Sequence, residues 1–138
     1  MGKSAFDKNT TGSVNLAIVS NDLSSNKLES NNTTVGQKTE NNKTGANITV
    51  MGALTGIDIT TGLRNNLMGS RSGDALTNTG YNIAIWFGDL DLDAKGSKSV
   101  TIGDIALFSR NSTSSTDAFN VAIGMRQAMQ SQKVHIKH

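Results

Sequence analysis

Residues 82–86 read NIAIW and residues 120–124 read NVAIG, two stretches that differ only at the second and fifth positions. Related five-residue stretches, here called copies, recur along the chain at intervals of 15 to 21 residues. Self-similarity at a nearly fixed period indicates a repeat architecture rather than a disordered polar linker. The seven copies are NLAIV from Asn15, NTTVG from Asn32, NITVM from Asn47, NNLMG from Asn65, NIAIW from Asn82, SVTIG from Ser99 and NVAIG from Asn120.

Short turn signals separate the copies. Thr-Gly pairs stand shortly before the next copy at residues 11–12, 44–45, 61–62 and 79–80. A second apolar signal follows seven or eight residues after most copy starts, as at Leu54 and Leu90. We therefore expect each coil to contain two short strands joined by turns rich in Asn, Gly, Ser and Thr.

The composition limits the function classes. The chain has 138 residues, no Cys, no Pro and only 4% aromatic residues. Without Cys there is no disulfide framework and no thiolate metal site. The formal net charge of +2 gives little electrostatic reason for a nucleic acid or membrane partner. The composition favours a solenoid with a thin core, with no nucleic acid partner and no membrane insertion.

Alternation within the copies predicts two faces. The third position is Ala or Thr in six of the seven copies, which predicts close packing of that face against other chains. The second and fourth positions are mostly branched and apolar. They are predicted to form the roll core: Leu16, Ile18, Val35, Ile48, Val50, Met68, Ile83, Ile85, Val100, Ile102, Val121 and Ile123.

The repeat resembles that of phage tail fibres and spikes, and it is similar to the head repeats of trimeric autotransporter adhesins. The shared phrase is Thr-Gly, two residues, Asn, any residue, Ala-Ile-Gly, two residues, Ala-Leu. SVTIGDIALF (99–108) and NVAIGMRQAM (120–129) carry it best, and the resemblance covers about residues 11–129. It implies an all-β fold, a left-handed parallel β-roll (β-solenoid) of about seven coils, and a homotrimer. The trimer-facing side chains would then be Ala17, Thr34, Thr49, Leu67, Ala84, Thr101 and Ala122.

The chain divides into three parts. Residues 1–11 form an N-terminal arm that either frays or attaches the protein to a larger assembly, and residues 12–129 form the β-roll. Residues 130–138 are a basic C-terminal cap or tip, since an open solenoid end needs covering. Trp86 replaces the common Gly at position five, so we expect it at the trimer interface or another contact surface. The contact candidates are Tyr81, Trp86, Phe87, Arg126, Lys133 and Lys137.

Candidate chemistry is sparse. DLDLD at residues 89–93 offers a cation candidate in Asp89, Asp91 and Asp93, but an EF-hand loop would need Gly and Glu where Ala94 and Val100 stand. The alternative is a strand with Leu90 and Leu92 inward and the carboxylates outward. His135 and His138 have no partner for catalysis, although three chains meeting there could bind a metal. We expect no enzyme activity and no cofactor.

The predicted function is structural. The chain is expected to be a virion protein, a trimeric fibre, spike or decoration exposed on a phage particle. A terminus would bind tail, baseplate or capsid proteins, and the exposed rod would contact a host surface glycan or protein. One alternative is the head fragment of a trimeric autotransporter adhesin, which binds host matrix from the bacterial cell surface. A second alternative is a polysaccharide depolymerase.

Overall fold

The computed structural model describes residues 3, 10–18, 30–37, 45–108 and 116–126. Over these residues the chain is all-β and contains no helix. Seven strands have three residues each and two have two. They are β1 (Leu16–Ile18), β2 (Thr33–Val35), β3 (Thr49–Met51), β4 (Asn66–Met68), β5 (Ile83–Ile85), β6 (Gly96–Ser97), β7 (Val100–Ile102), β8 (Thr116–Asp117) and β9 (Val121–Ile123).

Each predicted copy supplies one strand of a seven-stranded parallel sheet in the order β1-β2-β3-β4-β5-β7-β9. The short strands β6 and β8 pair separately, also in parallel. The described part of the chain is a parallel β-solenoid of about five turns. This confirms the predicted all-β repeat fold. The second predicted strand of each coil is mostly replaced by turns in residues 45–108.

Hydrogen bonds also join successive coils outside the main sheet. The Leu54 N–H donates to Gln37 O at 3.1 Å, the Arg71 N–H to Ala53 O at 3.0 Å, and the Ile105 N–H to Phe87 O at 2.9 Å. Bonding to the neighbouring coil satisfies backbone groups around the perimeter. A chain with few large apolar residues can therefore still form an ordered roll.

The third copy begins one residue later than the sequence alignment placed it. Val50 pairs with Thr34 on one side and Leu67 on the other, so Val50 occupies the third position. Ile48 then takes the place of the usual Asn, and Gly52 becomes the fifth residue. Gly52 has a φ of 136°, a conformation that glycine adopts most readily. The position-five backbone therefore explains the one-residue shift.

The predicted faces are reversed. Side chains at the third position point into the roll, where Ala17, Leu67 and Ala84 are fully or almost fully buried. Only Ile48 and Val50 of the predicted core are buried, and they are so because of the register shift. The other ten lie partly or largely exposed on the outer surface of the sheet: Leu16, Ile18, Val35, Met68, Ile83, Ile85, Val100, Ile102, Val121 and Ile123.

The narrow interior explains the small third position. The opposite wall fills the core with the large buried side chains Ile59, Leu76 and Leu90, leaving space for only small residues on most strands. Threonine fits there because its hydroxyl bonds to the preceding coil, as Thr101 Oγ1 does to Ile83 O at 3.3 Å. Of the residues predicted to contact other chains, those buried in the chain's own interior are Ala17, Thr34, Leu67, Ala84, Thr101 and Ala122; Thr49 is half-buried on the outer side.

Candidate interaction face

The outer surface of the seven-stranded sheet is a continuous apolar strip, here called the apolar face. It is built from the outward-pointing first and third residues of each three-residue strand. Eleven of these fourteen side chains are apolar and none is charged. The fourteen are Leu16, Ile18, Thr33, Val35, Thr49, Met51, Asn66, Met68, Ile83, Ile85, Val100, Ile102, Val121 and Ile123.

The apolar face is large for a chain of this size. Its most exposed members include Val121 at 70% and Ile123 at 65%. Single exposed apolar residues are normal on a protein surface, whereas a contiguous set rimmed by polar residues is typical of an interaction site. The apolar face is therefore the kind of surface that a second protein surface would cover.

A ladder of buried asparagines holds the strands in register. Asn82 Oδ1 accepts a hydrogen bond from the Ser99 N–H at 3.0 Å, and Asn82 Nδ2 donates to Gly96 O at 3.0 Å. Asn65 makes the equivalent pair of bonds, to the Asn82 N–H at 3.0 Å and Thr79 O at 2.9 Å. The recurrence of Asn at position one is the sequence signal for this ladder. Alternation predicts that these asparagines lie on the outer face, whereas the structure buries Asn65 and Asn82.

A column of exposed side chains flanks one edge of the apolar face, two residues before the start of each strand of the seven-stranded sheet. The Arg64 guanidinium lies 5.3 Å from the centre of the Tyr81 ring and donates from Nη1 to the Tyr81 hydroxyl at 2.7 Å. One coil further, Lys98 Nζ lies 5.1 Å from the centre of the Phe119 ring. All seven residues at this position have positive φ: Val14, Asn31, Asn47, Arg64, Tyr81, Lys98 and Phe119.

The three aromatic contact candidates do not form one cluster. Tyr81 precedes β5, whereas Trp86 and Phe87 follow it, so Tyr81 and Trp86 are about 16 Å apart along an extended chain. All three side chains are exposed, Trp86 at 61%. Arg126 is exposed beyond β9. Lys133, Lys137, His135 and His138 lie outside the described residues, as do most of the predicted N-terminal arm and the whole of the C-terminal cap.

The aspartates of DLDLD do not line an exposed strand, so that alternative is wrong. Residues 89–92 form a turn; Asp89, Asp91 and Asp93 are buried, while Leu92 is exposed. Hydrogen bonds from backbone N–H groups to Asp89 and Asp93 offset part of the cost of burying these two side chains. Asp93 Oδ1 accepts from the Gly96 N–H at 3.1 Å. Asp89 Oδ1 accepts from the Ala106 N–H at 2.8 Å, and burial raises the pKa of Asp89 to about 6.

Asp74 and Asp91 form a carboxyl pair on adjacent coils. Arg71 Nε lies 3.2 Å from Asp74 Oδ2, and Arg71 Nη2 lies 3.7 Å from Asp91 Oδ2. Burial, followed by the hydrogen bond to Asp91, raises the pKa of Asp74 to about 7. The arrangement suits a proton held between two carboxyl groups. Within the described ranges, no three or more His, Cys, Asp or Glu side chains are grouped as a metal site would require.

Comparison of the chain with protein-family models, curated proteins and solved structures gives no match. The resemblance to phage fibres and to adhesin heads therefore remains a prediction from the repeat. In the part of the chain that the structure describes, no helix is long and apolar enough to cross a membrane. The candidate functional site is accordingly the apolar face, together with the column of exposed side chains that precedes its strands and with Trp86 and Phe87, which follow β5.

Proposed function

We propose that the chain is a structural protein of a phage virion, a homotrimeric fibre, spike or decoration exposed on the particle. In this proposal a left-handed β-roll of about seven coils projects from the particle and mediates attachment or protein contact. The observation that carries the proposal is the apolar face. This face supports a role in which the chain is one subunit of a larger rod.

The apolar face, rather than the small side chains at the third position of the repeat, is the surface that contacts the other two chains of the trimer. The third-position side chains are inside the roll and are unavailable to another chain. The apolar face has no charged side chain and repeats the same residue types along the rod, so identical copies can match it coil by coil. Three copies arranged around one axis close the assembly and leave no apolar strip open to further growth.

Attachment uses the surfaces that trimerisation leaves free. In the proposed trimer the turn side of each coil faces outward, and three copies of every turn are presented together. Weak contacts with a host surface glycan or protein then gain strength through threefold repetition. One terminus binds tail, baseplate or capsid proteins of the same particle. The work of the protein is thus mechanical and adhesive rather than catalytic.

Light scattering after size-exclusion chromatography tests the proposal. The wild-type chain is expected at three times the 14.5 kDa mass of one chain. The double variant Ile85→Lys with Ile102→Lys places two charges on the apolar face, and we expect it to elute as a single chain. Burying unpaired ammonium groups in an apolar interface is strongly unfavourable.

Leu92→Lys is the matched control, because Leu92 is an exposed apolar residue outside the seven-stranded sheet. It should retain the trimeric mass. A wild-type protein that stays at the mass of one chain across a wide concentration range contradicts the proposal. Dissociation of the Leu92 variant but not the double variant would place the interface elsewhere.

A further inference from the structure

Position five of the copies is a site built for glycine. Gly52, Gly69 and Gly103 have φ of 136°, 127° and 142° there. A Cβ on Gly103 would lie 2.6 Å from backbone atoms of Gly124, and a Cβ on Gly52 would lie 2.8 Å from those of Gly69. Real Cβ atoms do not approach backbone atoms so closely. Both the backbone conformation and the space above it therefore disfavour a side chain at this position.

Trp86 occupies this position in the fifth copy with a φ of 130°. A tryptophan in this region of φ is a strained residue, and strain of this kind is typical of functional sites. The register directs its Cβ toward Gly103 of the next coil, in the same way that a Cβ on Gly69 would meet the backbone of Trp86. Trp86 is 61% exposed, so burial of the indole within its own chain does not offset this backbone strain.

The position of Trp86 suits contact with another copy of the chain. It directly follows Ile85, so it continues the apolar face beyond the end of β5. The next residue, Phe87, is also exposed and widens the same edge. Tryptophans that become fully buried in an interface are among the residues that contribute most to binding. An aromatic edge of this kind would fill the seam between two neighbouring rolls.

We infer that Trp86 anchors the association of the rolls, its indole packing against a second copy of this chain. This inference rests on the proposed trimer. It names Trp86, in the fifth copy of the repeat, as the residue that holds neighbouring chains together. The strained backbone is then maintained by an interaction that only the assembly provides. The same residue weakens the isolated chain and strengthens the complex.

Tryptophan fluorescence reads this contact directly, because Trp86 is the single tryptophan of the chain. Sedimentation equilibrium measures the mass at each concentration, and acrylamide quenching measures the accessibility of the indole in the same samples. We expect the emission to shift to shorter wavelength and the quenching constant to fall several-fold as trimers form. A trimer whose indole is quenched as readily as in the dissociated chain overturns the inference and leaves the proposed trimer standing.

Two substitutions separate the indole from the backbone. Trp86→Ala removes the indole and keeps a Cβ, whereas Trp86→Gly also relieves the backbone. Both should weaken association by about tenfold or more, because each removes an aromatic side chain that the contact would bury. Only Trp86→Gly should raise the melting temperature of the dissociated chain, by several degrees, because it relieves the strained backbone.

The outcomes distinguish the two proposals. Unchanged association in both Trp86 variants, with Ile85→Lys/Ile102→Lys dissociated, overturns the role of Trp86 alone. A wild-type chain that never assembles overturns the trimer and the anchor together. Leu92→Ala removes an exposed apolar side chain outside the sheet and should change neither association nor quenching.

Discussion

At the residue scale, single positions of the repeat are specified by the neighbouring coil rather than by their own. Asn82 illustrates this, because its side chain bonds to the backbone at Ser99 and Gly96, both of the next coil. The residue two positions before each strand of the seven-stranded sheet takes positive φ, as does the residue directly after each strand from β2 onward in that sheet, and these residues turn the chain into and out of the sheet. A substitution at these positions therefore acts on the stacking of two coils at once.

Asn82→Ala is expected to destabilise the roll by about 2–4 kcal/mol, because it leaves a buried N–H and a buried carbonyl without their partners. Asn66→Ala is the matched control when both substitutions are made in the dissociated Ile85→Lys/Ile102→Lys background, since Asn66 is exposed on the outer side of the sheet in the single chain. The control should change stability by no more than about 0.5 kcal/mol. Urea unfolding followed by circular dichroism measures both. Equal effects of the two substitutions would mean that the asparagine ladder does not hold the coils.

At the element scale, the sequence alone predicted the strands well and their orientation poorly. All seven copies form strands of one sheet, because short alternating runs rich in β-branched residues favour the extended conformation. Alternation separates two faces without saying which is inside. Apolar content predicts that the more apolar face is the core, but the narrow roll admits mostly small side chains opposite Ile59, Leu76 and Leu90.

The same limit applies to the candidate site. Trp86 was identified from its departure from Gly, and the exposed position agrees with a contact role. The apolar face was missed because its residues were assigned to the interior. The buried state of Asp91 was missed because DLDLD alternates like a strand but lies in a turn. Period-two patterns in short turns therefore misled the interpretation, whereas the recurrence of whole copies did not.

The stacked carboxyls predict a pH dependence of stability. The pKa is about 7 for Asp74, beside Arg71 and Asp91, and about 6 for Asp89, near Asp104. Both lie above the value of about 3.9 in an unfolded chain, so the folded state binds protons more tightly. This contribution to stability is complete below about pH 4 and is lost as the pH rises through about 6 to 7.

We therefore expect a higher urea midpoint at about pH 5 than at about pH 8. Asp74→Asn should reduce the difference, because the amide does not titrate. Asp117→Asn is the control, as Asp117 is exposed in its ion pair with Lys98 at 2.7 Å, and should leave the difference intact. A midpoint that is unchanged or higher at the alkaline pH contradicts the assignment.

At the scale of the whole molecule, the chain has two unlike sides. Turns with buried aspartates and exposed polar residues form one side, and an uncharged apolar strip along seven strands forms the other. In the described residues, hydrogen bonds between coils satisfy backbone groups around the roll, and the apolar strip lies outside its core. The strip is best explained as the surface on which the rolls assemble, and the strained Trp86 as a contact retained for the same purpose.

Disulfide trapping tests this central claim most directly, because the chain has no cysteine of its own. A single cysteine replaces Ile85 on the apolar face, or Leu92 outside the sheet, and mild oxidation is followed by non-reducing electrophoresis. We expect a covalent dimer within each trimer for Ile85→Cys and none for Leu92→Cys at the same concentration. Cross-linking of Leu92→Cys but not Ile85→Cys, or of neither, would contradict it.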